Sequence, residues 1–180
     1  MKNIFITGER GIGKSTLLEK IIKNVDCSIG GFIQEKIFTD KTTCFNVVSL
    51  YNLEDSYTIG IYHREKDVLY SDMNVFNSIS KNILLKSLGD RELIILDELG
   101  FMEENSPLFK DTIIKILNCD TPVLGVLKEC DTNFIQQIKM REDVNVIRIN
   151  ENNRNSMEDK ILNMLKINNV NLVPITNKKD

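Results

Sequence analysis

Lys2-Asn3-Ile4-Phe5-Ile6-Thr7-Gly8-Glu9-Arg10-Gly11-Ile12-Gly13-Lys14-Ser15-Thr16-Leu17-Leu18 opens the chain and decides its fold. Lys2–Thr7 is a short apolar run with β-branched residues and reads as a buried strand. It runs straight into a glycine-rich turn, Gly8–Gly13. Leu17, Leu18, Ile21, Ile22 and Val25 then recur at helical spacing on one face. Strand, glycine loop and helix in that order begin a βα unit. Gly8, Gly13, Lys14 and Ser15 fill every fixed position of G-x-x-x-x-G-K-[ST].

Each position in that pattern has a physical task. The glycines let the backbone turn tightly and bring its amides against phosphate oxygens. The helix starting near Lys14 adds its positive end. Lys14 reaches the β- and γ-phosphates as a point charge. Ser15 offers a hydroxyl to Mg²⁺, which prefers hard oxygen ligands, and Thr16 backs up the phosphate contacts. The loop residues Gly8, Glu9, Arg10, Gly11, Ile12, Gly13, Lys14, Ser15 and Thr16 are therefore expected to hold a nucleotide. Arg10 leaves two readings open: a built-in arginine finger aimed at the γ-phosphate, or a solvated surface charge.

Downstream of Gly30-Gly31 the texture changes. Phe32–Phe38, Cys44–Tyr51 and Tyr57–Tyr62 are rich in β-branched and aromatic residues, with polar clusters between them. They read as a small antiparallel insert, about residues 30–62, on the edge of a parallel sheet. Helical spacing returns at Val75, Phe76, Ile79, Ile83 and Leu84. Leu93–Leu96 is an apolar strand, and Ser106-Pro107 starts a helix, with Ser as cap and Pro at the first position. Pro122–Leu127 and Val144–Ile149 read as strands flanking a short helix around Thr132–Met140. Ser156–Asp159 resembles a capping box that opens the last helix, through Leu165. Residues 168–180 have no clear period and stay unassigned. The alternation predicts one doubly wound, mostly parallel α/β domain over residues 1–180.

Composition narrows the possible partners. The 180 residues are 42% hydrophobic and 27% charged, with a net charge of −3. That balance gives no electrostatic footprint for a nucleic-acid polymer. No apolar run is long enough to span a bilayer, and Gly8-Glu9-Arg10 interrupts the first apolar stretch too early for a signal peptide; the expected location is the cytoplasm. Cys27, Cys44, Cys119 and Cys130 form no C-x-x-C pair, and the single His63 has no cysteine close by, so zinc or redox chemistry is not expected.

A second acidic motif completes the candidate site. Leu93-Ile94-Ile95-Leu96 ends in Asp97-Glu98, at the strand end where parallel α/β sheets bind ligands. Asp97 is placed to hold Mg²⁺. Glu98 is a candidate to orient or deprotonate an attacking water. Arg154 follows the last strand and Lys128 follows Pro122–Leu127, so both fall on the ligand side of the sheet if that topology holds.

The motifs occur together in a recognisable order. The phosphate loop, Gly31-Phe32 with Glu35-Lys36, Phe45–Leu50, Asp97–Glu103, Ser106, Phe109 and Glu151–Arg154 follow one another as in one family. From Met1 to about Leu165 the chain resembles the small cancer-related nucleoside-triphosphatase family. The resemblance implies a P-loop NTPase of the branch with an extra central strand and a catalytic glutamate beside the metal-binding aspartate. It implies Mg²⁺-dependent release of phosphate from ATP, GTP and other nucleoside triphosphates. Glu98 matches the glutamate, and Arg154 matches an Asn-Arg pair expected near the nucleotide. Glu9 and Arg10 stand where the family often has proline or small residues, and some members carry arginine near Lys128. Residues between Tyr57 and Asn74 follow the family poorly.

Three functions remain open on the sequence. They are hydrolysis of a nucleoside triphosphate, a kinase that moves the γ-phosphate to a small acceptor, and a slow nucleotide-dependent switch. Glu98 tilts the balance toward water as acceptor. No diagnostic base contact, protein partner or oligomeric state is legible.

Overall fold

A computed structural model describes residues 1–174. The strands are β1 (Asn3–Thr7), β2 (Ile29–Phe38), β3 (Thr42–Ser49), β4 (Ser56–His63), β5 (Val68–Tyr70), β6 (Leu93–Leu99), β7 (Val123–Leu127) and β8 (Val144–Arg148). The helices are α1 (Lys14–Lys23), α2 (Met73–Ile79), α3 (Leu85–Ser87), α4 (Pro107–Asn118), α5 (Asn133–Lys139) and α6 (Met157–Ile167). A π-helical turn, Ser80–Leu84, joins α2 to α3.

All eight strands form one sheet in the order β5-β4-β3-β2-β6-β7-β1-β8. The pairs β2–β6, β6–β7, β7–β1 and β1–β8 are parallel. The pairs β2–β3, β3–β4 and β4–β5 are antiparallel. β7 lies between the phosphate-loop strand β1 and the acidic strand β6, which is the extra central strand expected above. The fold is thus an α/β P-loop fold with a mostly parallel sheet and an antiparallel portion.

Strand alternation sorts the core into two layers. Ile4 and Ile6 of β1, Leu93 and Ile95 of β6, and Leu124 and Val126 of β7 pack against Leu18 and Ile21 of α1 and Ile161 and Leu165 of α6. Phe5, Ile94, Leu96 and Leu127 point the other way, into Phe76, Ile79, Phe109, Ile113, Phe134 and Ile138. Each such fully buried side chain contributes roughly 1.5–3 kcal/mol over an exposed one. The helices on both faces make the sheet doubly wound.

Two boundaries differ from the sequence reading, the far end of the antiparallel portion and the end of β6. The antiparallel portion lies on the edge of the parallel sheet as expected, and its first strand, β2, joins the two by pairing in parallel with β6 through Ile29–Phe32 and antiparallel with β3. It also extends past Tyr62 to β5. Gly31 makes this junction possible. Its φ is +82°, and a Cβ there would stand 1.9 Å from the Ile95 carbonyl oxygen. The strand β6 runs on to Leu99 through an irregularity between Leu96 and Leu99.

Two predicted caps do not form. Helix α4 starts at Pro107, but the Ser106 hydroxyl is buried without a partner, and only its carbonyl accepts, from Lys110 N. Ser156 Oγ donates to the Asn153 carbonyl instead of capping α6, and Glu158 turns toward Lys20 and Asn24 of α1. The start of the unassigned tail has structure. Val170 is buried, and Leu172 bridges Val25. Residues 175–180 of that tail lie outside the described residues. Among the described residues, no helix is long and apolar enough to cross a membrane.

Candidate active site

The carboxyl ends of β1, β7, β6 and β2 meet around one cleft of about 690 Å³, within the size range of small-molecule sites. The phosphate loop forms one wall through Gly8, Glu9, Arg10, Gly11 and Gly13, followed by Lys14, Ser15 and Thr16 of α1. Thr7 anchors the start of this loop by donating from Oγ1 to the Leu127 carbonyl at 3.1 Å. Gly8 packs so closely that a Cβ would meet the Ile149 carbonyl oxygen at 2.5 Å. Gly13 caps α1 with a left-handed backbone and no side-chain cap. The first-turn amides of α1 are therefore left to whatever anion enters the loop.

Lys14 lies over its own loop, its ammonium donating to the carbonyls of Gly8 at 2.6 Å and Glu9 at 2.7 Å. Burial lowers its pKa, with Lys36 and Lys128 acting in the same sense against the raising effect of Glu98 and Glu129. An ammonium partly stripped of water gains more from an arriving phosphate than a solvated one does.

Asp97 is 3% exposed. Its Oδ2 accepts from the Gln34 amide at 3.0 Å, while its Oδ1 is buried with no hydrogen-bond partner. Burial raises its pKa to about 6, against the lowering effect of the Gln34 hydrogen bond. An orphaned buried carboxylate oxygen next to a phosphate-binding wall fits a hard cation. Ser15, on that wall, supplies the matching hydroxyl. Among the described residues, here or elsewhere, no three His, Cys, Asp or Glu side chains cluster as a metal site, so a cation here would draw its other ligands from Ser15, phosphate oxygens and water.

Glu98 faces the loop across the cleft. Its φ of +57° falls in the left-handed region at the β6 irregularity. A non-glycine residue there carries backbone strain of order 1–3 kcal/mol, typical of functional positions. The bulge turns the side chain out of the alternation that buries Leu96. Its carboxylate is pinned from two sides: Lys36 Nζ donates to Oε1 at 2.8 Å, and Lys128 Nζ stands 3.3 Å from Oε2. The second contact is an ion pair by distance without hydrogen-bond geometry. Burial alone would raise the Glu98 pKa, but the two lysines outweigh it and lower the value. The group is an ionised carboxylate at neutral pH.

The structure brings together most of the residues expected from the sequence. Gly8–Gly11, Gly13–Thr16, Glu98 and Lys128 line one cleft, whereas Asp97 does not line it and borders a small neighbouring cavity with Gln34 and Glu98. Ile12 does not line the cleft and packs toward the α1–α6 layer. Arg10 is exposed on the cleft wall, where its charge is felt by Tyr62 of β4. Arg154 is exposed in a 3-10 turn, Arg154–Ser156, beyond β8 and outside the cleft lining. Lys36 of β2, quoted above in the Glu35-Lys36 pair without a role, is a lining residue of the cleft. With Phe45, Leu69, Phe101, Met102, Glu129 and Cys130 it completes the lining. Strand alternation beyond Gln34 locates Lys36 once β2 is taken as a strand of the parallel sheet.

Residues 3–162 match a protein-family model described as NTPase. The chain is 32% identical over 175 residues to nucleoside-triphosphatase THEP1 of Thermotoga sp. (strain RQ2), covering 92% of this chain and 96% of the relative. It is 30% identical over 170 residues to nucleoside-triphosphatase THEP1 of Methanocaldococcus jannaschii, covering 90% and 96%. Its fold is similar to the crystal structure of THEP1 from Aquifex aeolicus, with a TM-score of 0.75 at 23% identity and coverage of 91% and 99%. It is also similar to the solution structure of a human cancer-related nucleoside triphosphatase, with a TM-score of 0.68 at 21% identity and coverage of 93% and 98%.

Proposed function

The chain belongs to this NTPase family, and from that premise we propose that it hydrolyses nucleoside triphosphates to the diphosphate and inorganic phosphate with Mg²⁺. The carrying observation is that Glu98 and the phosphate loop line one cleft, while Asp97, its chain neighbour, keeps a buried Oδ1 without a partner. Ser15 and Asp97 would hold the Mg²⁺. When bound, it neutralises charge on the phosphate oxygens during transfer.

The chain's own residues account for the remaining chemistry. The loop amides and the α1 N-terminus bind the phosphates, and Lys14 exchanges its two carbonyl partners for phosphate oxygens. Glu98 accepts a hydrogen bond from the attacking water and takes its proton as the oxygen bonds to phosphorus. Two ammoniums depress its basicity, so it needs release from them. Lys36 and Lys128 line the same cleft as Lys14 and the phosphate loop, and their turn toward the γ-phosphate returns basicity to Glu98. Arg10, on the opposite rim, adds a guanidinium to the same charge. Displacement is in line, so the nucleoside lies away from Glu98, on the β8 side where Arg154 stands. A small anionic substrate, and no nucleic-acid polymer, suits a chain of net charge −3.

Phosphate release from ATP, GTP, CTP and UTP with Mg²⁺ tests this. Steady release is expected, and Lys14→Ala is expected to abolish it by removing phosphate binding. No release from any of the four would overturn the proposal.

A further inference from the structure

The cleft does not end at Glu98 but continues to side chains of β3 and β5. Nucleophile and leaving group lie on opposite sides of the phosphorus in an in-line displacement. If Glu98 marks the nucleophile, the space between Glu98 and β5 is on the nucleophile's side. From β1 to β3 the sheet order crosses four strand spacings, roughly 19 Å at about 4.8 Å each. The cleft runs from the phosphate loop at the end of β1 to Phe45 of β3 and Leu69 of β5.

The walls of that far half are of two kinds. Phe45 of β3, Leu69 of β5 and Phe101-Met102 beyond β6 present apolar surface. Phe101 is 52% exposed, unusual for a large apolar side chain beside a polar site. The Lys128 ammonium sits near both rings, 6.0 Å from the Phe45 centroid and 5.8 Å from that of Phe101. Lys36 is the cross-strand partner of Phe45. With Glu98 between them, the two lysines leave a local charge of +1. Apolar walls give water few hydrogen bonds, while rings suit a flat face and ammoniums suit an anion.

Resting on the placement of Glu98 at the nucleophile, we propose that this half of the cleft is a second-ligand site for a flat aromatic molecule with an anionic group. A nucleoside monophosphate is the fitting class. Its ring lies against Phe45 and Phe101, and its phosphate meets Lys36 and Lys128. The antiparallel portion of the sheet thereby gains a function, since β2, β3 and β5 supply Lys36, Phe45 and Leu69. An occupant takes the place of the attacking water, so phosphate release falls as the site fills.

Calorimetric titration of AMP, GMP, CMP and UMP into the full chain tests the site. The chain is first saturated with Mg²⁺ and a non-hydrolysable triphosphate analogue, which closes the phosphate loop to the monophosphate. One or more of the four is expected to bind with 1:1 stoichiometry. Phe101→Ser and Lys36→Met are each expected to weaken that binding at least tenfold. Phe101 is half exposed, so its replacement leaves the core intact, which a thermal melt checks. Absence of binding by all four, or binding that both substitutions leave unchanged, would overturn the proposal. This titration needs no turnover. An inactive chain that still binds the monophosphate would sink the hydrolase reading and leave the second site standing, and the reverse pattern would do the opposite.

Discussion

Glu98→Gln should move affinity and turnover in opposite directions. The amide keeps the shape of the side chain and leaves the backbone at φ +57° no more strained than in the native chain. It removes the one negative charge between Lys36 at 2.8 Å and Lys128 at 3.3 Å. The local charge of the three groups rises from +1 to +2. At a separation of about 6 Å and an effective dielectric constant between roughly 20 and 80, one unit of charge on the γ-phosphate is worth about 0.7–3 kcal/mol. Triphosphate binding should therefore tighten about 3- to 100-fold. Turnover should fall at least ~100-fold, the low end of general-base effects. Calorimetry with a non-hydrolysable analogue gives the affinity, and phosphate release gives the turnover. Turnover within threefold of wild type would remove Glu98 as the base. Weaker binding would show that its charge does not face the phosphate, and the two-lysine account of its release would go with it.

Three further outcomes are expected. Lys36→Met should lower kcat more than it raises KM, because Lys36 touches Glu98 while the phosphate loop holds the substrate; an equal change in both would assign Lys36 to substrate binding alone. Gly31→Ala should cost at least about 3 kcal/mol, because a Cβ 1.9 Å from the Ile95 carbonyl can be relieved only by parting β2 from β6. At roughly 2–4 °C per kcal/mol for a chain of this size, its melting temperature should drop by about 6–12 °C, and a drop under 2 °C would mean that the junction relaxes. Cys27 should react slowly with iodoacetamide: burial, with Glu92 and Asp26 adding to it, raises its thiol to about 11. An ordinary thiol near 8.5 presents on the order of a hundredfold more thiolate at pH 8. Mass spectrometry should show the Cys27 rate climbing as pH approaches 11, and rapid labelling at pH 8 would refute the burial.

The parts of the site that lie next to one another in the chain are legible in the amino-acid sequence. The loop Gly8–Thr16 and the pair Asp97-Glu98 are local, and their spacing relative to strand and helix follows from backbone geometry. The caps at Ser106 and Ser156 fail because a hydroxyl can choose among competing acceptors, or none, once tertiary packing fixes its surroundings. Lys36 stands in the quoted Glu35-Lys36 pair, but its place in the site is not legible there, for a different reason. The β-rich texture of Phe32–Phe38 does not say which strand of the sheet it pairs with, so nothing local places its carboxyl end beside Asp97.

The sequence by itself determined that a strand, a phosphate loop and a helix open an α/β fold, and that an acidic pair ends a buried strand. Hydrophobic period and glycine position encode these within a few residues of chain. Only the tertiary structure decided that β2 takes its place beside β6, that Glu98 sits in a left-handed bulge, and that Lys36 and Lys128 close on its carboxylate from strands far apart in sequence. Those relations are set by sheet order and register, which are properties of the whole packed sheet and of no single segment.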